Sequence, residues 1–180
     1  MIIWGGYPET TGGRYNPSTD SWTATSTTNE PAGRYFIPAP NVWTGSEMIV
    51  WGGNDGLNTG GRYNPSTDSW TATSTTNAPS GRDAPLVWTG SEMIVWGGAS
   101  GCTAFDTGGR YNPSTDSWTA TSITNAPCAR SCQTVWTGSE MIAWGGFDCV
   151  SYMDTGGRYC AVAPSPTPTP RARPTPAPRP

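Results

Sequence analysis

The sequence predicts an all-β repeat protein made of short four-stranded antiparallel units, followed by an extended proline-rich tail. Three observations carry this. One block recurs every 48 residues or so, and no stretch shows helical hydrophobic periodicity. Glycine and proline, 23 and 18 of 180 residues, gather at turns between apolar runs and in the last twenty positions.

The repeat is read from four spaced signals. Gly-Gly-Arg-Tyr opens at Gly12, Gly60, Gly108 and Gly156, a constant step of 48. Trp-Gly-Gly opens at Trp4, Trp51, Trp96 and Trp144. Asn-Pro-Ser-Thr-Asp-Ser-Trp ends at Trp22, Trp70 and Trp118, and Val-Trp-Thr-Gly-Ser-Glu places Trp43, Trp88 and Trp136. These positions account for all 10 tryptophans, so tryptophan is expected to serve repeat packing.

Each repeat reads as four strands, here taken from the third. The first runs Pro85 to Trp88 and ends in the tight turn Thr89-Gly90-Ser91. The second, Glu92-Met93-Ile94-Val95-Trp96, is a near-continuous apolar run suited to burial on both faces. Gly97-Gly98 then permits close backbone approach, and a variable loop follows. The third strand lies around Gly109-Arg110-Tyr111, and Asn112-Pro113-Ser114-Thr115-Asp116 is a strong turn because Pro sets φ and Asn and Asp bond nearby backbone. The Thr-rich fourth strand, Ser117 to Thr121, suits an outer edge. The turn acids Asp20, Asp68 and Asp116 read as turn caps, since the segment lacks the spaced ligands of a calcium loop.

Four short strands per repeat, with paired Gly and a later Tyr and Trp, is the pattern of a β-propeller blade. The residues resemble the Kelch-repeat family: a hydrophobic run, a Gly-Gly doublet, then Tyr and Trp six residues apart. Here these are Ile49-Val50-Trp51-Gly52-Gly53 with Tyr63 and Trp70, and Val95-Trp96-Gly97-Gly98 with Tyr111 and Trp118. The resemblance spans about residues 1–160 and is strongest to the degenerate repeats of bacterial secreted or surface proteins, which also carry Pro-Thr-rich tracts. It implies a partial, open-arc propeller: a partial blade over 1–29, full blades over 30–77 and 78–125, and a partial blade over 126–160. The chain opens inside a second strand and stops after a third, about 14 strands in all. It is therefore expected to be a fragment of a longer protein, the alternative being blades completed between chains. Either way, open propeller edges invite self-association. Residues 161–180 hold eight of the prolines and read as a polyproline linker or stalk.

Variation is confined to loops. Thr59–Ser80 and Thr107–Cys128 differ only at Thr75/Ile123 and Ser80/Cys128. The differences lie in the loops 54–58, 99–106 and 147–154 and around the constant Arg34, Arg82 and Arg130. In a propeller these connections emerge on one face, where Kelch relatives bind partners. The expected binding set is therefore Arg34, Arg82 and Arg130, whose guanidinium groups suit carboxylates, with the loop acids Asp55, Asp83, Asp106 and Asp148. Arg14, Arg62, Arg110 and Arg158 recur in the third strand and are expected to be structural. Cys102, Cys128, Cys132 and Cys149 fall on that same face and are expected to form two disulfides, with connectivity open and Cys160 the odd thiol.

Composition removes other classes. Without His there is no Ser-His-Asp triad, Cys-His dyad or imidazole metal site, and the His-ligated copper chemistry of some Kelch-type enzymes is excluded. No cofactor, metal or catalytic residue is expected. A chain of net charge −3 without Lys is a poor nucleic-acid binder, so no nucleic acid is expected. Apolar runs are far shorter than the roughly 20 residues a membrane helix needs, so no membrane span is expected. Met1-Ile2-Ile3-Trp4 lacks the charged and apolar regions of a signal peptide. The expectation is a non-catalytic scaffold that binds a protein or glycan partner outside the cell or at its surface. The alternative is a fragment of a glycan hydrolase or lyase propeller acting through missing blades or loop carboxylates.

Overall fold

The computed structural model describes residues 1–6, 10–34, 41–53 and 56–161. Among these the chain forms sixteen strands and no helix, so no helix crosses a membrane there. The first sheet contains β1 (Ile2–Trp4), β2 (Gly12–Asn16) and β3 (Ser21–Ala24). The second contains β4 (Asn41–Trp43), β5 (Met48–Trp51), β6 (Gly60–Asn64) and β7 (Ser69–Ala72). The third begins with β8 (Leu86–Trp88) and β9 (Met93–Trp96). A separate small hairpin follows, β10 (Ala99–Ser100) with β11 (Thr103–Ala104), before the sheet resumes with β12 (Gly108–Asn112) and β13 (Ser117–Ala120). The fourth contains β14 (Ser131–Trp136), β15 (Met141–Phe147) and β16 (Gly156–Tyr159). All pairings are antiparallel, and the four sheets follow the expected three, four, four and three strands. Where the sequence predicts only a loop after Gly98, Ala99 pairs with Ala104 and Ser100 with Thr103.

The apolar run of β5 is buried along its whole length because its two faces meet different neighbours. Met48 and Val50 pack with Trp4 of the first sheet and Trp70 of their own, whereas Ile49 and Trp51 pack with Met93, Val95 and Trp118 of the third. The core thus lies between successive sheets, and the alternation of the strand assigns each side chain to one interface. A third cluster joins Ile94 and Trp96 to Met141 and Ala143.

The first two of these interfaces repeat the same joint. Trp4 meets Trp70 with ring centroids 5.1 Å apart, and Trp51 meets Trp118 at 5.3 Å. The indole of Trp70 donates to the Ser26 carbonyl at 3.0 Å, and that of Trp118 to Ser74 at 2.8 Å. Arg14 donates to the Pro65 carbonyl at 2.8 Å and Arg62 to Pro113 at 2.6 Å. The second glycine of Gly-Gly-Arg-Tyr has its own reason: a Cβ on Gly61 would lie 2.9 Å from Pro31 Cγ, so only Gly lets the preceding connection lie flat on the strand.

The turn aspartates take left-handed backbone, with φ of 48° at Asp20, Asp68 and Asp116, which Asp tolerates better than most residues. Asp68 accepts from the Tyr63 hydroxyl at 2.5 Å and from the Ser26 N–H of the previous repeat at 3.0 Å. Asp116 does the same with Tyr111 and Ser74.

These pairs set a pH window. The Tyr63 hydroxyl and the Ser26 N–H hold the Asp68 carboxyl below its ordinary range. Burial and then the Asp68 bond push the Tyr63 phenol up to about 12. A depressed carboxyl contributes stability above its unfolded pKa of about 3.9, lost as pH falls. A raised phenol contributes stability below about 10, lost as pH climbs towards the folded value. Thermal melts followed by Trp fluorescence should therefore stay level at neutral pH and fall in acid and again between about pH 10 and 12. A melting temperature unchanged across that alkaline range would contradict the assignment.

Candidate functional site

The variable loops stand on arginine clamps. Arg34, Arg82 and Arg130 are 4%, 1% and 1% exposed, so they cannot present a guanidinium to a partner. Each lies in the connection entering a repeat and reaches the two feet of that repeat's loop. Arg34 Nη1 donates to the carbonyls of Gly52 and Thr59, both at 2.8 Å. Arg82 Nη1 donates to Gly97 at 3.3 Å and Thr107 at 2.9 Å, and Arg130 Nη1 to Gly145 at 3.3 Å and Thr155 at 2.6 Å. In all three, Nε closes a local bond, to Ala32, Ser80 and Cys128. The donors that a carboxylate-clasping role would need are engaged by these bonds: a buried guanidinium must satisfy its donors, and the chain's own carbonyls do so. Burial draws the guanidinium groups of Arg34 and Arg82 down to about 10, with Asp106 opposing the shift at Arg82, and both stay cationic at neutral pH.

The clamps also link repeats. The Gly53 N–H donates to the Arg82 carbonyl at 3.0 Å, and Gly98 to that of Arg130 at 2.9 Å. The doublet glycines at this joint have left-handed φ, 76° at Gly52 and 69° at Gly97, a conformation Gly adopts freely.

The acids are dispersed. Asp83 is half-buried and bonds through its backbone to Ala99. Asp106 is exposed beside Arg82, whose guanidinium stacks 3.8 Å from the Phe105 ring centre. Asp148 caps its own loop, accepting from Ser151 N–H at 2.7 Å and Val150 N–H at 2.8 Å; these bonds hold its carboxyl below the ordinary range. Asp55 lies outside the described residues, as does nearly all of the proline-rich tail. Among the described residues no group of three or more His, Cys, Asp or Glu is placed to hold a metal ion.

The expected disulfides are not formed; all five cysteines are free. The four candidates sit in separate settings. Cys132 is buried in β14, where burial pushes its thiol up. Cys128 is exposed, with its sulfur accepting from Arg130 Nη2 at 3.0 Å. Cys102 is exposed on the β10–β11 turn, and Cys149 sits at a left-handed φ of 76°. The exposed Cys160 thiol donates to Glu140 at 3.3 Å, a bond that raises its pKa.

Two large apolar side chains stand exposed in the last loop. The last loop returns on itself through the Phe147–Tyr152 bridge, with those rings 5.1 Å apart. Val150 and Tyr152 are each 88% exposed at its tip. Sequence reasoning weighed the charged residues of this loop and passed over these two; the only available signal was two large apolar residues within a variable segment. No protein-family model matches the chain, and no curated protein matches it.

Proposed function

We propose that the chain is a non-catalytic Kelch-like propeller segment that presents its variable loops to a protein or glycan partner at or outside the cell surface. The strand β8 lies against β4 on one side and β14 on the other, an arrangement that supports sheets set as blades about a common axis. One observation carries the binding role. On a loop braced by Arg130 below and Asp148 within, Val150 and Tyr152 project almost fully into solvent. Ordered backbone under a large amphipathic ring is the arrangement of a binding anchor, since little entropy remains to be lost on contact. A tyrosine face also suits stacking on a sugar ring or on a partner's apolar side chain.

Asp148 supports the non-catalytic reading, because its carboxylate is occupied by two N–H groups of its own loop. The test is a binding screen against glycans and cell-surface proteins using the full chain. Tyr152→Ala is expected to weaken the ligand found by roughly tenfold or more, since an anchor residue contributes at least about 1–2 kcal/mol. The melting temperature should barely move, because the side chain is almost fully exposed and, among the described residues, its ring meets only the exposed Phe147. Binding unaltered by Tyr152→Ala and by Val150→Ser would overturn the loop as the contact site.

A further inference from the structure

We propose that the second and third sheets hold a binding site for a neutral pyranose sugar, in a cavity walled by Trp88 and edged by Glu47 and Arg62. The site is separate from the variable loops. In the pair β5–β6 the loop leaves from Trp51 and Gly60, whereas Met48 and Tyr63 pair at the opposite end. The cavity opens at that opposite end and has a volume of about 370 Å³. Turns at 44–47, 90–91 and 112–114 line it together with Arg62 and Trp88. Sites for single small molecules start at about 300 Å³. Both sheets that wall the cavity have four strands.

Local bonds build the site. Thr44 Oγ1 accepts from the Glu47 N–H at 2.9 Å, which fixes the first turn, and Asn112 Oδ1 accepts from the Ser114 N–H at 2.9 Å, which fixes the last. Arg62 Nη1 donates to the Pro113 carbonyl at 2.6 Å and lies 3.8 Å from Glu47 Oε2. The two side chains are 17% and 24% exposed, so each keeps a small open surface. Among the described residues the Arg62 guanidinium makes that one hydrogen bond, and the Glu47 carboxylate accepts none. Trp88 ends β8 and packs against the cluster of Ile49 and Met93, yet is only half-buried. Trp51, Trp96 and Trp118 are buried, whereas Trp88 keeps part of its indole open beside a charged pair.

These groups match a pyranose. Its C–H face is apolar and lies well on an indole, while its hydroxyls both donate and accept. Glu47 accepts from hydroxyls and Arg62 donates to another, and such charge-assisted bonds are roughly twice as strong as neutral ones. Ser46, Ser91 and Ser114 add exposed hydroxyls around the mouth. The acid and the base offset each other, so the cavity favours a neutral sugar over a uronate or an amino sugar. The pair recurs one repeat on, with Glu92 3.5 Å from Arg110, but there Cys160 stands in place of Asn112.

Saturation-transfer NMR and calorimetric titration of the full chain test this. The probes are both anomers of the methyl glycosides of glucose, galactose, mannose and fucose, with glucuronate and glucosamine as charged controls. At least one neutral glycoside should bind, with saturation strongest on one face of its ring, and the charged controls should bind more weakly. Trp88→Ala and Glu47→Gln should each weaken that glycoside roughly tenfold or more, the loss expected on removing an anchor or a charged hydrogen-bond partner. Trp88→Phe should retain most of the binding, which separates lost stacking from lost folding. Glu47→Gln should leave the melting temperature near wild type, because a partly exposed ion pair contributes little. Tyr152→Ala should leave sugar binding here unchanged, so failure of the last loop as a contact site and failure of this cavity are told apart. No binding by any neutral glycoside, tighter binding of a charged control, binding unaltered by Trp88→Ala or by Glu47→Gln, or binding lost in Tyr152→Ala would each overturn the proposal.

Discussion

Arg82→Met is expected to destabilise the folded chain by about 3–5 kcal/mol, the loss typical of removing one partner from a buried, charged hydrogen-bond cluster. The guanidinium bonds Ser80, Gly97 and Thr107, and methionine fills similar space without any donor. Three acceptors in a site where Arg82 is 1% exposed are then left without it, and the stack on Phe105 is lost. Arg82→Lys should recover less than half, because an ammonium cannot reproduce the planar fork that spans both feet of the loop. Urea titration followed by Trp fluorescence measures this. The change should begin in the third repeat, since stability in a repeat chain is a sum of local and nearest-neighbour terms. A loss below about 1 kcal/mol for Arg82→Met would mean that the clamp is dispensable.

Trp118→Ala is expected to cost about 3–5 kcal/mol, and Trp22→Ala under about 1 kcal/mol, although both lie in identical Asn-Pro-Ser-Thr-Asp-Ser-Trp segments. Trp118 is 5% exposed, stacks on Trp51 and Tyr111, and its indole N–H satisfies the Ser74 carbonyl. Its removal leaves a cavity between two sheets and an acceptor without its donor. Trp22 keeps its Tyr15 contact but meets no preceding sheet and is 52% exposed. Equal costs, from matched melts at concentrations below any self-association, would show that inter-sheet stacking is not what tryptophan contributes.

Much of the molecule was legible in the sequence because its determinants are local. The apolar run Met93-Ile94-Val95-Trp96 and the turn chemistry of Asn112 to Asp116 act within a few residues, and strand order followed from repeating them. The surroundings of the expected binding residues were less legible. Arg34, Arg82 and Arg130 stood out as constant residues among variable loops, and a constant arginine serves equally as a ligand or as a clamp in one dimension. The cysteines likewise fell near one another in a topological sketch, yet one is buried in β14 and others are exposed.

The sequence alone determined the all-β character, the four-repeat period and the strands of each sheet, since pleat alternation and turn propensity are written in consecutive residues. Only the tertiary structure decided which way each long side chain turns and whether its partner is present. Arg82 reaches carbonyls 15 and 25 residues away, and Trp118 reaches back 44. Whether a tryptophan is core or surface depends on a neighbouring sheet that no local pattern records, which is why Trp118 is buried and Trp22 and Trp144 are not.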